Sequence, residues 1–254
     1  MIAVGEEAAL TVDRLVKRFG GVVAVDDVSF TLRRGERMAV IGPNGAGKTT
    51  LFKLIAGELR ATSGSTLIFG ADVSSRSDAR RARAGLSRTF QVSNLFGALT
   101  VADNVRLALL ARRRNRWRPW PDASVRRRGE AVTQALASVA LEHRAGVRVA
   151  DLSHGEQRQL EIAMALLNEP RILLLDEPAA GLSEAERVVL RDLIRRLPPD
   201  LAVLLIEHDM SLALDLTQKV LCLHNGVPIA MGAPGEVRAD PTVRTVYLGR
   251  AGAA

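Results

Sequence analysis

Residues 42–49 read Gly-Pro-Asn-Gly-Ala-Gly-Lys-Thr, and no other stretch restricts the possible folds as much. The run has the spacing G-x-x-x-x-G-K-[ST]. Before it stands Met38-Ala39-Val40-Ile41, a continuous apolar run of the kind found in a strand buried on both faces. After it a helical pattern runs from Lys48 to Ala56, with Leu51, Leu54 and Ile55 on one side and Gly57 as a stop. Strand, glycine-rich loop and helix in that order make a cradle for phosphate. Backbone N–H groups wrap an anion closely only where no Cβ intrudes, which suits glycine at 42, 45 and 47. The helix turns its positive N-terminus toward the phosphates. Lys48 brings a point charge to the outer phosphates, and the Thr49 hydroxyl can ligate Mg²⁺.

The rest of the chain alternates strands and helices around that cradle. Leu10–Val16 reads as a strand, and Val28, Phe30 and Leu32 alternate with polar neighbours as in a half-buried one. Thr66–Phe69 and Leu86–Phe90 are further short strands. Residues 101–145 are mainly helical, with stripes at Val101, Val105, Leu109 and at Val132, Leu136, Val139. Strands return at Ile172–Leu175 and Leu201–Ile206, and a helix at 184–197 stops at Pro198-Pro199. A helix begins near Ser211, and Val220–Leu223 and Val227–Met231 flank Asn225-Gly226, a hairpin signal.

A second motif sits at the end of an apolar strand: Ile172-Leu173-Leu174-Leu175-Asp176-Glu177-Pro178. Ligands of open α/β sheets lie at the carboxyl ends of strands. Asp176 is therefore placed to hold Mg²⁺ through water, and Glu177 to polarise a water attacking the γ-phosphate. Solvated acids at strand ends are common, so the motif gains meaning only from the phosphate loop upstream.

Composition excludes several classes. At 254 residues with a single cysteine, Cys222, the chain is no disulfide scaffold. No run of 18 apolar residues exists. The start carries Glu6 and Glu7 rather than a basic region, and the tail, Gly249–Ala254, has no lipidation cysteine. The expected compartment is the reducing cytoplasm. Lys plus Arg is 35 against 28 acids, a net charge of +7, with only Lys17, Lys48, Lys53 and Lys219 as lysine. Residues 112–128 hold eight arginines around Trp117 and Trp120, a solvated loop or a segment lying against anionic lipid headgroups.

Leu152-Ser153-His154-Gly155-Glu156-Gln157 closely resembles the signature sequence of ATP-binding cassette (ABC) ATPases. Together with Gly42–Thr49, Gln91, Asp176-Glu177 and His208 in that order, the chain is similar to one complete cassette over about residues 9–248. Arg88-Thr89-Phe90-Gln91, Asp176–Leu182, Ile206–Met210 and the ending Val246-Tyr247-Leu248-Gly249 resemble the cassettes of branched-chain amino-acid importers. Those of urea and lipopolysaccharide transport are near relatives. The resemblance implies an α/β fold: a P-loop NTPase (RecA-like) core and antiparallel β subdomain at about 9–91 and 160–248, with an inserted α-helical subdomain at about 92–159.

The resemblance also implies roles. Two cassettes, identical or not, pair head to tail around two ATPs with Mg²⁺. Gly42, Pro43, Asn44, Gly45, Ala46, Gly47, Lys48, Thr49 and Thr50 hold one ATP, whose γ-phosphate meets Ser153 and Gly155 of the opposite subunit, with Glu156 beside them in the nucleotide site. Thr49, Gln91 and Asp176 serve the metal, and Glu177, His208 and Gln91 serve catalysis. Phe19 matches the aromatic that stacks on adenine, with a place in the core as the alternative. Ser153 could simply N-cap the helix pattern at Gln157–Leu167, and both roles can hold at once. The sequence departs from the common pattern at His154, Glu156 and Ser183, the last where many cassettes carry aspartate. The implied partners are two membrane-spanning permease subunits, a second cassette and an extracytoplasmic substrate-binding protein, with this subunit on the cytoplasmic face of the membrane. The insert is the implied docking surface, where Leu95 and Phe96 line a groove for a permease helix or belong to the insert's core. Urea or amide uptake and lipid or lipopolysaccharide export are alternatives. A nucleic-acid ATPase is disfavoured by the short gap before the signature, and a small-molecule kinase by the signature itself.

Overall fold

A computed structural model of the chain describes residues 8–89, 95–111 and 123–248. In chain order the elements are β1 (Ala8–Phe19), β2 (Val22–Arg33), β3 (Arg37–Ile41), α1 (Lys48–Ala56), β4 (Ser63–Ile68), β5 (Ala71–Asp72), α2 (Asp78–Arg83), β6 (Leu86–Arg88), α3 (Val101–Ala111), α4 (Ala123–Ala137), α5 (His154–Leu166), β7 (Ile172–Asp176), α6 (Glu184–Arg195), β8 (Ala202–Ile206), α7 (Met210–Leu216), β9 (Lys219–His224), β10 (Val227–Gly232), α8 (Pro234–Ala239) and α9 (Pro241–Leu248). They divide into two compact units, one formed by the chain up to Arg88 with 171–178 and 196 onward, the other by 89–170 and 179–195.

The first unit holds two sheets. One is antiparallel, in the order β2-β1-β4-β5. The other runs β10-β9-β3-β8-β7-β6, parallel from β9 to β6 with β10 antiparallel at its edge. The apolar run at 38–41 explains the central position of β3. Met38 and Val40 pack toward α1 and the antiparallel sheet, while Ala39 and Ile41 pack with Ala213, Val220, Val237 and Val243 on the opposite face. A strand buried on both faces needs no polar alternation. The turn between β9 and β10 puts Asn225 at φ 48° and Gly226 at φ 82°, the mirror-image turn that Asn-Gly favours.

The second unit is helical. Val101 and Val105 of α3, Val132 and Leu136 of α4, Leu160 and Ile162 of α5, and Leu190 and Ile194 of α6 supply buried positions. The buried Asn104 clamps the backbone of residue 96: its Oδ1 accepts from the Phe96 N–H at 2.8 Å and its Nδ2 donates to the Phe96 carbonyl at 3.1 Å. The Phe96 ring is 58% exposed, so the insert-core alternative is corrected: its backbone is fixed and its side chain presented to solvent.

Several boundaries differ from the sequence expectation. Strands β1, β2 and β4 extend beyond their apolar cores because antiparallel pairing with neighbours continues through polar residues. Helices α2, α8 and α9 were not expected. Among the described residues no helix is long and apolar enough to cross a membrane.

Candidate functional site

The phosphate loop joins β3 to α1 and forms one wall of a cavity of about 470 Å³. Asn44, Gly45, Ala46, Gly47, Lys48, Thr49 and Thr50 line it, with Val22–Ala24, Glu177 and Asn225 completing the wall. Glycine is required here for two different reasons. A Cβ on Gly47 would lie 2.3 Å from the Ala24 carbonyl oxygen, and one on Gly42 equally close to that of Leu223. Those two let the loop pack against neighbouring strands. Gly45, at φ 81°, has open space where its Cβ would be, and that space is the cavity. Of the three, only Gly45 has no neighbour within 4 Å of where its Cβ would lie, so Gly42 and Gly47 are glycine for packing rather than for space in the cavity. Lys48 is 5% exposed and donates to the carbonyls of Gly42 at 2.8 Å and Pro43 at 3.1 Å. Burial pulls its ammonium below the ordinary range, opposed first by the Glu177 carboxylate.

Asp176 ends β7 and is 1% exposed. Its Oδ2 accepts from Arg88 Nη2 at 2.9 Å, whereas its Oδ1 is buried with no hydrogen-bond partner among the described residues. Arg88 also pairs with Glu58 and lies over the Phe52 ring. Burial raises the Asp176 carboxyl above its usual range, and Arg88 opposes the rise. A buried, orphaned carboxylate oxygen behind the phosphate loop has the chemistry of a hard-cation ligand, so the residues present fit Mg²⁺. Arg88 stood in the motif read from the sequence but had no role there.

Glu177 follows at φ 44°, a left-handed conformation unusual for glutamate. Its N–H donates to the Ile206 carbonyl at 3.0 Å, so the chain turns sharply at the strand end and Glu177 reaches the cavity that Lys48 and Thr49 line. His208 lies two residues beyond Ile206. It is exposed, with Nδ1 3.8 Å from the buried Glu207 carboxylate, and it does not line the cavity. Phe19 is 47% exposed at the tip of β1, paired with Val22 of the cavity wall, and the Lys17 ammonium sits 4.8 Å from its ring centre. It is therefore not core, nor does it line the cavity itself. Gln91 lies outside the described residues, as do Phe90 and the Arg/Trp segment from 112 to 122.

The signature residues belong to the helical unit. Ser153 caps α5: its hydroxyl accepts from the Glu156 N–H at 3.2 Å, and Glu156 Oε2 accepts from the Ser153 N–H at 2.9 Å. This is a capping box, with His154 in the first turn. Glu156 Oε1 is held by Arg144 Nε at 2.7 Å. A residue the sequence did not flag completes the arrangement. Glu186, in the first turn of α6, accepts from the Gly155 N–H at 2.9 Å through Oε1 and from the Ser183 N–H and hydroxyl at 3.0 and 2.8 Å through Oε2. The Ser183 N–H, followed by those of Gly155 and the Ser153 hydroxyl, holds the Glu186 carboxyl down at about 2.

Comparison with known proteins matches these features. Residues 25–180 fit the family model described as ABC transporter, and residues 227–253 that described as branched-chain amino acid ATP-binding cassette transporter. The high-affinity branched-chain amino acid transport ATP-binding protein LivG of Salmonella typhimurium is 38% identical over 250 residues, 95% of this chain and 98% of its own. BraF of Pseudomonas aeruginosa, described likewise, is 36% identical with the same coverage. The crystal structure of an ATP-binding cassette of an ABC transporter in its ADP conformation superposes with a TM-score of 0.84 at 27% identity, covering 95% of this chain and 99% of that one.

Proposed function

The chain belongs to the ATP-binding cassette family of transporter ATPases, and from that membership we propose that it powers a branched-chain amino-acid importer. The observation that carries the enzymology is the turn at Glu177. It brings a carboxylate into the same cavity wall as Lys48 and Thr49, while Asp176 stays buried behind it. The cargo reading is supported by the similarity to LivG and BraF along nearly the whole chain.

In this reading the loop from Gly42 to Thr50 holds the triphosphate, with Lys48 moving its ammonium from its own carbonyls to phosphate oxygens. Thr49, Gln91 and Asp176 hold Mg²⁺, which neutralises charge on the phosphates when bound. Glu177 takes a proton from the water that attacks the γ-phosphate, and His208 and Gln91 steady that water and the phosphate. Phe19 stacks on adenine from the rim beside Val22. Ser153, Gly155 and Glu156 form the opposing seat, so that two cassettes close on each ATP. Phosphoryl transfer needs position and charge more than covalent partners, which fits a site of donors and carboxylates.

Partners follow from the same proposal. The subunit sits on the cytoplasmic face of the membrane and docks on two permease subunits through the helical insert. The fixed, exposed Phe96 is one contact. An extracytoplasmic binding protein delivers the cargo. The test is reconstitution in vesicles with a branched-chain permease pair, a second cassette and the binding protein. ATP-dependent uptake of labelled leucine, isoleucine or valine is the expected result. ATP hydrolysis coupled to urea or lipid movement instead would overturn the cargo assignment.

A further inference from the structure

The N-terminus of α5 already holds an anion, and the chain itself supplies it. Glu186 Oε1 takes the Gly155 N–H at 2.9 Å. Glycine at 155 lets the carboxylate come this close: a Cβ there would lie 2.8 Å from Glu186 Cγ and 2.9 Å from Oε1, so Glu186 would have to shift. The other oxygen is tied to Ser183 at the start of α6, where Ser183 and Glu186 form the cap. All of these residues lie in the helical unit.

We propose that Glu186 is a resident stand-in for the γ-phosphate, occupying the Gly155 N–H until the opposing subunit's nucleotide displaces it. The inference rests on the proposed role of Ser153 and Gly155 in seating that phosphate. An N–H carries one proton and cannot serve two anions at full strength, and a carboxylate beside a phosphate repels it. Glu186 therefore sets a threshold on closure. Its displacement frees the oxygen that caps α6, so arrival of the phosphate is felt at Ser183 and in the first turn of that helix. Ser183, which stands where many cassettes carry aspartate, thus has a partner through which the two ends of the signature region communicate.

Glu186→Gln tests this in the assembled transporter, with permeases and second cassette present. Glutamine keeps one oxygen, which can go on accepting from Ser183 as the α6 cap, while its NH2 cannot accept the Gly155 N–H and the charge is gone. Charge-assisted hydrogen bonds are about twice as strong as neutral ones, so the KM for ATP should fall about three- to tenfold. The thermal midpoint of the nucleotide-free chain should not rise. A structural role alone would move both readouts toward impairment; the proposal moves affinity up while stability stays level or drops. An unchanged or raised KM overturns it. Ser153→Ala, measured alongside, separates the two layers. If it leaves hydrolysis at the parent level, the phosphate seat itself is misassigned and the inference goes with it. If it impairs hydrolysis while Glu186→Gln leaves KM unchanged, only the stand-in role is wrong.

Discussion

Arg88 shares one guanidinium between Glu58 and Asp176, and the Arg88 and Asp176 side chains are 8% and 1% exposed. Removing the cation leaves a buried carboxylate with neither oxygen paired among the described residues, since Oδ1 has no partner there already. Breaking a buried pair from one side typically costs about 3–5 kcal/mol. Arg88→Met should lower the unfolding free energy by that order in a urea titration; a loss comparable to a surface substitution would show that the pair contributes little. The glycines of the loop give a second contrast. Gly47→Ala, at φ 96° and against the Ala24 carbonyl, should lose nucleotide binding and more than about 2 kcal/mol of stability. Gly45→Ala bears only the backbone strain, of order 1 kcal/mol. Fluorescent-nucleotide titration and thermal melts of the two variants would check the ranking. Lys48, Thr49, Asp176 and Glu177 were legible in the sequence because their spacing along the chain is itself the signal. Arg88 and Glu186 were not, because their partners stand 88 and 31 residues away.

At the level of elements, strand–loop–helix order was readable wherever burial was two-sided, as at 38–41 and 172–176. Strands with one solvated face were read short, since polar residues pair along the backbone without announcing it. Helices α8 and α9 carry a local signal in the sequence: Pro234 and Pro241 each open a helix, and Asp240 Oδ1 accepts from the N–H groups of Thr242 and Val243. No spacing rule announces α2, and its role is tertiary. Its buried Arg81 donates to the Leu54 and Ile55 carbonyls at 2.7 Å, closing the C-terminal end of α1. The junction of α5 and α6 has a pH signature. The folded chain lowers the Glu186 carboxyl from an ordinary 4.5 to about 2, so its stabilising contribution is complete above pH 4.5 and is lost as pH falls toward 2. The gap in thermal midpoint between the parent and Glu186→Gln should therefore be constant above 4.5 and close as pH approaches 2. Melts followed by circular dichroism would reveal it, and a gap that persists at pH 2 would deny the carboxylate its hydrogen bonds.

For the whole molecule, the proposal makes the working unit a pair of cassettes. Glu177→Gln keeps the shape and donors of the cavity wall while removing the base. Hydrolysis should fall about 10²–10⁴-fold. ATP should then hold the cassettes together as a stable dimer, visible by size-exclusion chromatography with light scattering. Hydrolysis at the parent rate would move the base elsewhere. Such an assembly lay beyond the sequence's own pattern and entered only through resemblance to a family, because the phosphate loop and the signature belong to different compact units of one chain.

Lys48 has a thermodynamic corollary. With its ammonium anchored on the carbonyls of Gly42 and Pro43, the arch between β3 and α1 has its shape before any ligand arrives. Nucleotide uptake by a single subunit then swaps one set of acceptors for another and orders little new chain. The heat-capacity change of that step should accordingly be small, and the large negative term belongs to the later event in which two surfaces lose their water to one another.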